Sequence, residues 1–555
     1  MSNFSVAAVF SNHMVLQRNK PISIFGYADL STTVTVELKN KDGKTLSENT
    51  LTTFEEKWCI QLAPQTAQTD CKLFVSFAEK SHLDADGNDC ASSGCEVFED
   101  IAIGEVWIAG GQSNMEFELQ NCTEGPDELS DLDGRTGSKN VRFYYTNKIA
   151  WKDENFYEEE RNTCWQTWDS TGRGAWSAVG YFFAKKLARD LDCIVGIIGC
   201  NWGGTSASAW MRKEYLEKDA DLNTYLSEYK EALYGKSIEQ QINEYDDYEI
   251  ENAKWQEEFS KLWQNDHNLS WAEAEKIIGK NPWPGPKSCK NPYRPTGLYD
   301  CMLSRILPYT VKGFLWYQGE SDDHKPQMYY KLFSSLIENW RTDWKDEQLP
   351  FVFVQLPVHR YKADSDFKHW CLIREAQAKV HNNIKNAFMT CALDLGEFND
   401  IHPKAKKVLG ERMEQNALAN VYKTIPSEKA LSPTYAGSLV QENQIIIYFD
   451  NAAEGFSTRD DNLNLVHYRE MEKAQGNEVP AAFTSFEIAG SDGVFYPAAY
   501  KFSREKGHLN QITLSSPMVK NPLFARYAWY NYGPVTIFGT NGLPVSPFRT
   551  NTFIK

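Results

Sequence analysis

The chain has 555 residues, more than one hydrophobic core usually organises, so we expect two or three domains and a large buried core. A formal net charge of −17 without a long basic run excludes a protein built to bind nucleic acid or an anionic membrane surface. The N-terminus lacks the basic and apolar regions of an export signal, and no apolar stretch of about 18 residues occurs. We therefore expect a cytoplasmic protein with neither nucleic-acid nor membrane partners, and the sequence indicates no oligomeric state.

Residues 1–100 show the short alternating pattern of an antiparallel β domain. Polar and apolar residues alternate from Thr33 to Leu38, and an Asp42-Gly43 turn precedes the next run. We predict an N-terminal β domain over this range.

From residue 101 the pattern changes to apolar strands that alternate with amphipathic helices. Apolar residues recur every four positions from Val179 to Leu191, and a compact apolar strand follows at 194–198. The same unit repeats from Val311 through a patterned helix to a strand at 351–354. This alternation predicts an α/β fold with a mainly parallel sheet over residues 101–430.

Residues 213–290 interrupt that alternation with an acidic, helix-patterned segment. Leu222, Leu226, Tyr229 and Leu233 form one apolar stripe, and a Pro-rich stretch at 281–286 closes the segment. We interpret it as a helical insertion whose aromatic residues pack within the protein. The alternative is that the insertion forms a lid or a wall of a binding cleft. Residues 431–555 return to short alternating runs and predict a C-terminal β domain.

A serine stands where a buried strand should end. The apolar run 106–109 leads into Gly110-Gly111-Gln112-Ser113-Asn114-Met115. A hydroxyl at the carboxyl end of a strand lies beside free backbone N–H groups, which can stabilise an oxyanion. An ordinary strand-to-loop turn would have the same composition, so Ser113 needs a partner to be read as a nucleophile.

His402 is the candidate base for Ser113. It follows the apolar strand 387–393 and precedes a helix patterned by Ala405, Leu409 and Met413, which places it at the carboxyl end of a strand. A histidine beside Pro403 at a helix start is the alternative interpretation.

Two further loops follow predicted strands. Residues 201–206 contain Gly203 and Gly204, whose backbone could approach a substrate and donate N–H groups. Residues 316–321 contain Gln318, Gly319 and Glu320. Four polar loops at the carboxyl ends of parallel strands predict a hydrolytic site.

These residues carry a family resemblance. The segments Gly111-Gln112-Ser113-Asn114-Met115, Trp316-Tyr317-Gln318-Gly319-Glu320-Ser321, Arg374-Glu375-Ala376-Gln377 and Asp400-Ile401-His402-Pro403 resemble the sialate O-acetylesterase group of SGNH hydrolases. Met14-Val15-Leu16-Gln17-Arg18 and Pro547-Phe548-Arg549 are also similar, so the resemblance spans nearly the whole chain. It implies a three-layer α/β/α SGNH-hydrolase sandwich flanked by β-sandwich-like regions.

The resemblance also implies roles for single residues. Ser113 would be the nucleophile and His402 the general base and acid, while the amides of Ser113 and of Gly203 or Gly204 would bind the oxyanion. The remaining predicted oxyanion or substrate residues are Gln112, Gln318, Gly319 and Glu320. We expect no cofactor and no metal, and no Cys-x-x-Cys pair occurs among the 12 cysteines.

The acid partner of His402 departs from the family pattern. Many SGNH enzymes carry it three residues before the histidine, where this chain has Asn399, and the carboxylate here is Asp400. Asp400 is our first choice for the orienting acid. Asp394, Glu397 and a dyad assisted by a backbone carbonyl remain alternatives.

Three functions compete at this point. The resemblance favours an esterase that removes acetyl groups from O-acetylated sialic acid, with Arg374 as a candidate partner for the sugar carboxylate. The 17 Trp, 27 Tyr and 30 Phe also suit an esterase for acetylated xylan- or xyloglucan-derived oligosaccharides. A carbohydrate-binding protein on a degenerate hydrolase scaffold is the alternative from another class.

Overall fold

The computed structural model describes residues 4–79, 82–83, 89–90, 92–265, 269, 271–362, 364–481 and 483–551. No helix in this described part is long and apolar enough to cross a membrane. The N-terminal strands are β1 (Ser5–Val6), β2 (Val15–Gln17), β3 (Ile22–Tyr27), β4 (Thr33–Lys39), β5 (Thr45–Thr52), β6 (Lys57–Leu62), β7 (Gln68–Ala78), β8 (His82–Leu83), β9 (Asp89–Cys90) and β10 (Ser93–Gly111).

Most of the N-terminal strands pair antiparallel with one another, as the sequence predicts for this range. β1, β3 and β6 form a three-stranded sheet, and β5, β4 and β7 join the edge of a larger one. Along β4 every second residue is buried, namely Val34, Val36 and Leu38. The alternation of polar and apolar residues in the sequence therefore corresponds to one face of β4 that packs on the core.

β10 joins the N-terminal strands to the rest of the chain. Its first half pairs antiparallel with β7, and its second half pairs in parallel with two later strands. From Ile101 onward every residue of β10 is buried. The change of pattern at residue 101 marks the point where this strand enters the core, so the domain boundary that we predict at 100/101 falls inside one continuous strand.

The central part alternates strands with helices. Its elements are α1 (Ser113–Glu116), α2 (Gly125–Ser130), β11 (Val141–Tyr145), α3 (Phe156–Glu159), α4 (Ala178–Leu191), β12 (Val195–Asn201), α5 (Lys213–Glu217), α6 (Asn223–Ala232), α7 (Ile238–Asn265), α8 (Trp271–Ile278), α9 (Gly297–Cys301), β13 (Gly313–Tyr317), α10 (Tyr329–Asp343), β14 (Phe351–Gln355), α11 (His369–Asn383), β15 (Ala387–Cys391) and α12 (Lys406–Ala417).

A large mixed sheet lies at the centre of the molecule, which confirms an α/β fold. In the order β11, β12, β10, β13, β14, β15, each strand pairs in parallel with its neighbour. β2 also pairs with β10, and β7, β4 and β5 extend the sheet antiparallel, giving ten strands in the described part. The sheet as a whole is mixed, which goes beyond the mainly parallel sheet that we predict for residues 101–430, because β10 is long enough to pair with both groups of strands.

Register places three strand ends at one edge of the sheet. Gly111 at the end of β10 lies opposite Asn201 of β12 and Tyr317 of β13. The loops that follow these strands therefore start side by side. On the flanks, α4 packs against α12 and α10 packs against α11.

The helical insertion carries α5 to α8, and the long helix among them is α7, with 28 residues. Tyr225 of α6 and Trp255 of α7 are buried. Most other residues of these helices are half-buried or exposed.

The C-terminal part builds its own core from short strands. Its elements are α13 (Ser427–Ala430), β16 (Thr434–Gln441), β17 (Gln444–Asp450), β18 (Phe456–Thr458), α14 (Asn462–Ala474), β19 (Phe486–Ala489), β20 (Phe495–Pro497), β21 (Ala499–Phe502), β22 (Gln511–Ser515), β23 (Phe524–Tyr527), β24 (Ile537–Gly539) and β25 (Phe548–Arg549). Two four-stranded antiparallel sheets, β16-β17-β22-β21 and β20-β19-β23-β25, enclose this core. Val358 and Leu393 of the central part also belong to it, so the two parts pack directly together.

Candidate active site

A cleft of about 760 Å³ opens where β10, β12 and β13 end. Ser113, Gly203, Glu320 and His402 all line it, although they are far apart in the sequence. Side chains from the helical insertion, including the Pro-rich stretch that closes it, line the cleft as well. The aromatic residues of the cleft wall are Trp202, Tyr225, Tyr229, Trp283 and Tyr293.

Ser113 reaches the cleft because the chain turns sharply after β10. Gly111 has φ +133, and a Cβ there would lie 2.1 Å from the carbonyl oxygen of Tyr317. Only glycine fits so close to the neighbouring strand in that conformation. Ser113 then becomes the first residue of α1, where its N–H has no carbonyl acceptor within the helix.

The structure brings His402 to Ser113. The Nε2 atom of His402 lies 2.9 Å from the Oγ atom of Ser113, within hydrogen-bond distance. Burial lowers the pKa of His402 below its usual 6.5, and the nearby charge of Lys406 lowers it further. The imidazole is therefore neutral near pH 7 and can accept the serine proton.

No carboxylate in the described part of the chain is hydrogen-bonded to the His402 ring. The Oδ1 atom of Asp400 instead accepts the backbone N–H of His402 at 2.8 Å. Asp394 forms a two-fold ion pair with Arg412, and Glu397 accepts the backbone N–H of Lys404. Asp400 thus contacts the loop that carries the imidazole, while the two alternative acids have other partners.

One predicted oxyanion donor already has an acceptor. The N–H of Gly203 donates to the Oε2 atom of Glu116 at 2.6 Å, and the other oxygen of Glu116 pairs with Lys148. Gly204 follows in the same turn with φ +75 and also lines the cleft. Sequence reasoning missed Glu116, although its position three residues after Ser113 on α1 indicates a shared helix face.

The remaining predicted residues lie at different depths. Gln112 and Glu320 line the cleft, whereas Gln318 and Gly319 do not. Gln318 is fully buried and donates to Asp322 at 2.7 Å and to Gln112 at 3.2 Å. The Oε1 atom of Gln112 in turn accepts the N–H of Ser321 at 3.1 Å. Gln318 therefore supports the floor of the cleft from below and does not face a substrate there.

Arg374 does not reach the cleft. It is fully buried and donates to the carbonyl oxygens of Pro357 and Tyr530. Its hydrogen bonds join α11 to the C-terminal part, so the prediction that it contacts a sugar carboxylate is not supported.

Two buried titratable groups near Ser113 were not predicted as a pair. Burial raises the pKa of Glu320 to about 7 and lowers the pKa of Lys406 to about 7. The amide of Asn114 lies between them. Lys406 follows His402 by four residues, at the start of the helix predicted after it, and this position was the available signal. Within the described ranges, no three His, Cys, Asp or Glu side chains are grouped to hold a metal ion.

Known proteins similar to this chain are carbohydrate esterases. A family model described as carbohydrate esterase, sialic acid-specific acetylesterase, matches residues 284–419, a range that holds Glu320, His402 and Lys406. The sialate O-acetylesterase of Mus musculus is 25% identical over 475 residues, which cover 80% of this chain and 77% of that protein. The sialate O-acetylesterase of Homo sapiens is 23% identical over 499 residues, which cover 84% of this chain and 77% of that protein.

A solved structure shares the whole architecture. The crystal structure of a carbohydrate acetylesterase from Xanthomonas citri superposes with a TM-score of 0.70, covers 100% of both chains and is 23% identical in sequence. At that identity the likeness establishes the fold.

Proposed function

We propose that this chain, an esterase related to the sialic acid-specific carbohydrate esterases, releases acetate from O-acetylated sialic acid through an acetyl-enzyme on Ser113. The observation that carries the serine mechanism is the 2.9 Å separation of Ser113 Oγ and His402 Nε2 in the cleft. The names of the curated relatives support sialic acid as the sugar.

The reaction follows the chemistry of these two side chains. His402 takes the proton of Ser113 as Oγ attacks the acetyl carbonyl, and the negative charge develops on the carbonyl oxygen. His402 then gives this proton to the sugar oxygen as its bond to the acetyl carbon breaks, so the sugar leaves with a free hydroxyl. A water molecule, deprotonated by His402, attacks the acetyl-enzyme and releases acetate and the free serine.

We assign the oxyanion to backbone donors at the start of α1 and in the Gly203-Gly204 turn. The free N–H of Ser113 at the first position of α1 supports this assignment. Gly203 becomes available when the Glu116 side chain rotates away from it. Asp400 is our carboxylate for His402, acting through the backbone N–H that it accepts.

The lining of the cleft favours a second candidate substrate. Among the residues that the structure describes, the charged side chains that line the cleft are four carboxylates and one lysine, with no arginine: Glu116, Glu228, Glu320, Asp323 and Lys287. Such a lining repels the carboxylate of sialic acid, for which arginine is the usual partner. Its aromatic wall suits the flat faces of neutral sugars. Acetylated oligosaccharides derived from xylan or xyloglucan are therefore the alternative substrate.

Acetate release from two substrates separates these proposals. Purified protein is incubated in parallel with O-acetylated sialic acid and with acetylated xylo-oligosaccharides, and kcat/KM is measured for each. A clear preference for the xylo-oligosaccharides would contradict the sialate assignment. Binding of either sugar without acetate release, together with failure of a fluorophosphonate to label Ser113, would indicate the carbohydrate-binding alternative.

The Ser113→Ala variant tests the nucleophile itself. We expect kcat for 4-nitrophenyl acetate to fall by several orders of magnitude. The residual activity would come from the backbone donors that stabilise the oxyanion. Full activity of this variant would show that another group attacks the ester.

We also propose that the parallel strands with their flanking helices form the three-layer SGNH-hydrolase sandwich. Parallel pairing from β11 to β15 and the packing of α4 on α12 support this assignment. The β-rich segments 1–100 and 431–555 are then β-sandwich-like domains attached to it.

A further inference from the structure

Asn114, which follows Ser113, has a fully bonded side-chain amide in a buried position. It is 1% exposed, and its Nδ2 donates to the Oε1 atom of Glu320 at 2.7 Å and to the carbonyl oxygen of Ile401 at 2.9 Å. Its Oδ1 accepts from the Nζ atom of Lys406 at 2.6 Å. One side chain thus joins α1, the loop after β13, the loop before His402 and the first residue of α12.

These bonds connect the chain neighbours of the two reacting residues. Asn114 is adjacent to Ser113, and Ile401 is adjacent to His402. Any movement of the His402 loop away from α1 must break the bond from Asn114 to Ile401. The hydrogen bond from Asn114 to Ile401 can hold the His402 loop in place. This matters because no carboxylate in the described part of the chain is hydrogen-bonded to the His402 ring.

The partners of Asn114 are costly to bury. Glu320 is 4% exposed and Lys406 is 1% exposed, and the Oε2 atom of Glu320 has no hydrogen-bond partner among the described residues. The Lys406 ammonium lies over the rings of Phe117 and Tyr317, at 4.8 Å and 5.4 Å from their centroids. A buried acid and base joined through an amide add little to stability, since desolvation offsets their attraction. Their place beside Ser113 points to a role in the site.

We propose that Asn114, held between Glu320 and Lys406, is a positioning residue that fixes His402 against Ser113. In this role the amide takes over the constraint that a ring-bound carboxylate supplies in many serine hydrolases. The proposal rests on the serine mechanism proposed above. Asn114 itself is not among the residues that line the cleft, so it acts through its neighbours.

The Asn114→Ala variant tests the constraint. We expect kcat for 4-nitrophenyl acetate to fall about 10²- to 10³-fold, the scale of misplaced reacting groups, with KM changed less than about threefold. Asn416→Ala is the matched control, because Asn416 is an equally buried amide on α12 that bonds the backbone of Met389 away from the cleft. The control should lose stability and keep its kcat.

Glu320→Gln provides rescue by a conservative change. A glutamine keeps the acceptor for Asn114 Nδ2, so kcat should stay within about threefold of the wild type, whereas Glu320→Ala should lose activity as Asn114→Ala does. Loss of activity in Glu320→Gln equal to that in Glu320→Ala would overturn the positioning role and indicate a proton or substrate contact at Glu320.

Lys406→Met gives a readout that structural damage alone would not produce. Removing this positive charge should raise the pKa of His402 and move the acid limb of kcat/KM to higher pH. The titratable groups that act on His402 or Lys406 are Glu116, Glu320, Glu397, Asp400 and the Cys122 thiol, with His359 beside His402. An unmoved acid limb would contradict the contribution of Lys406.

Fluorophosphonate labelling separates failure of this inference from failure of the serine mechanism. If Ser113 is not labelled in the wild type, the mechanism fails. If Ser113 is labelled at the same rate in the wild type and in folded Asn114→Ala, the mechanism stands and the positioning role of Asn114 is wrong.

Discussion

The Oε2 atom of Glu116 lies 2.6 Å from the backbone nitrogen of Gly203 and occupies a donor that we assign to the oxyanion. The carboxylate also pairs with Lys148, and this half-exposed pair costs little to break. A negatively charged ligand at this position has to displace a negatively charged side chain.

Glu116→Gln should therefore strengthen product inhibition by acetate. Removing the like charge favours acetate by about 1 kcal/mol, or roughly a fivefold lower inhibition constant against 4-nitrophenyl acetate hydrolysis. Glu118→Gln is the matched control, since Glu118 carries the same charge on the same segment without lining the cleft. An unchanged inhibition constant in Glu116→Gln would show that acetate does not compete with Glu116.

Substitution of Asp400 distinguishes a backbone contact from a ring contact. Asp400→Asn keeps an oxygen for the His402 N–H, so we expect kcat within about threefold of the wild type, and about a tenfold loss in Asp400→Ala. A carboxylate that orients the imidazole ring would instead cost on the order of 10⁴-fold when changed to asparagine. Steady-state kinetics with 4-nitrophenyl acetate makes the distinction.

The protonation of His402 sets the acid limb of the rate profile. His402 acts as a base only when neutral, and burial lowers its pKa, so the neutral form persists to lower pH than in free histidine. We expect kcat/KM for 4-nitrophenyl acetate to rise with pH through a midpoint below 6.5. A midpoint at or above 6.5 would show that another group controls the limb.

Trp283 offers a test of the aromatic wall. Its side chain is 44% exposed, lines the cleft and donates through Nε1 to the Tyr293 hydroxyl at 2.9 Å. Trp283→Ala should raise KM for acetylated xylo-oligosaccharides on the order of tenfold and leave hydrolysis of 4-nitrophenyl acetate unchanged. Tyr234→Ala is the control, because Tyr234 is 91% exposed on the same insertion and does not line the cleft. Equal effects of the two variants would argue against stacking at Trp283.

His359 links acid stability to the catalytic loop. Its ring nitrogen Nδ1 donates to the carbonyl oxygen of Asp400 at 3.1 Å, and burial lowers its pKa to about 3. Between about pH 6.5 and 3, His359 binds a proton in the unfolded chain but not in the folded chain. As pH falls through this range, His359 therefore lowers the free energy of unfolding by up to about 1.4 kcal/mol per pH unit.

Urea unfolding from pH 7 to pH 4 measures this contribution. His359→Asn retains a donor for Asp400 and does not titrate, so its free energy of unfolding should fall less steeply with decreasing pH than that of the wild type. His508→Asn, at an exposed histidine, should leave the slope unchanged. Identical slopes for the wild type and His359→Asn would contradict the shifted pKa.

Local patterns in the sequence indicated the elements that carry the site. The buried run before Ser113, the helix stripe of α4 and the strand before His402 each follow from side-chain periodicity, which depends only on neighbours along the chain. The mixed sheet did not follow, because the pairing of one long strand with β7 on one side and with β12 and β13 further along is a non-local event.

The sequence alone pointed to the proposed nucleophile and base, since each of the two motifs, Gly111 to Met115 and Asp400 to Pro403, is a short run of residues that can be read without knowing the fold. Tertiary structure decided how they are held. Whether Asp400 meets the ring or the backbone of His402, whether Gly203 is free, and whether Asn114 spans two loops depend on contacts between segments up to 292 residues apart. Hydrogen bonds require atoms to lie within about 3.5 Å at suitable angles, and only the folded packing of those segments sets such distances.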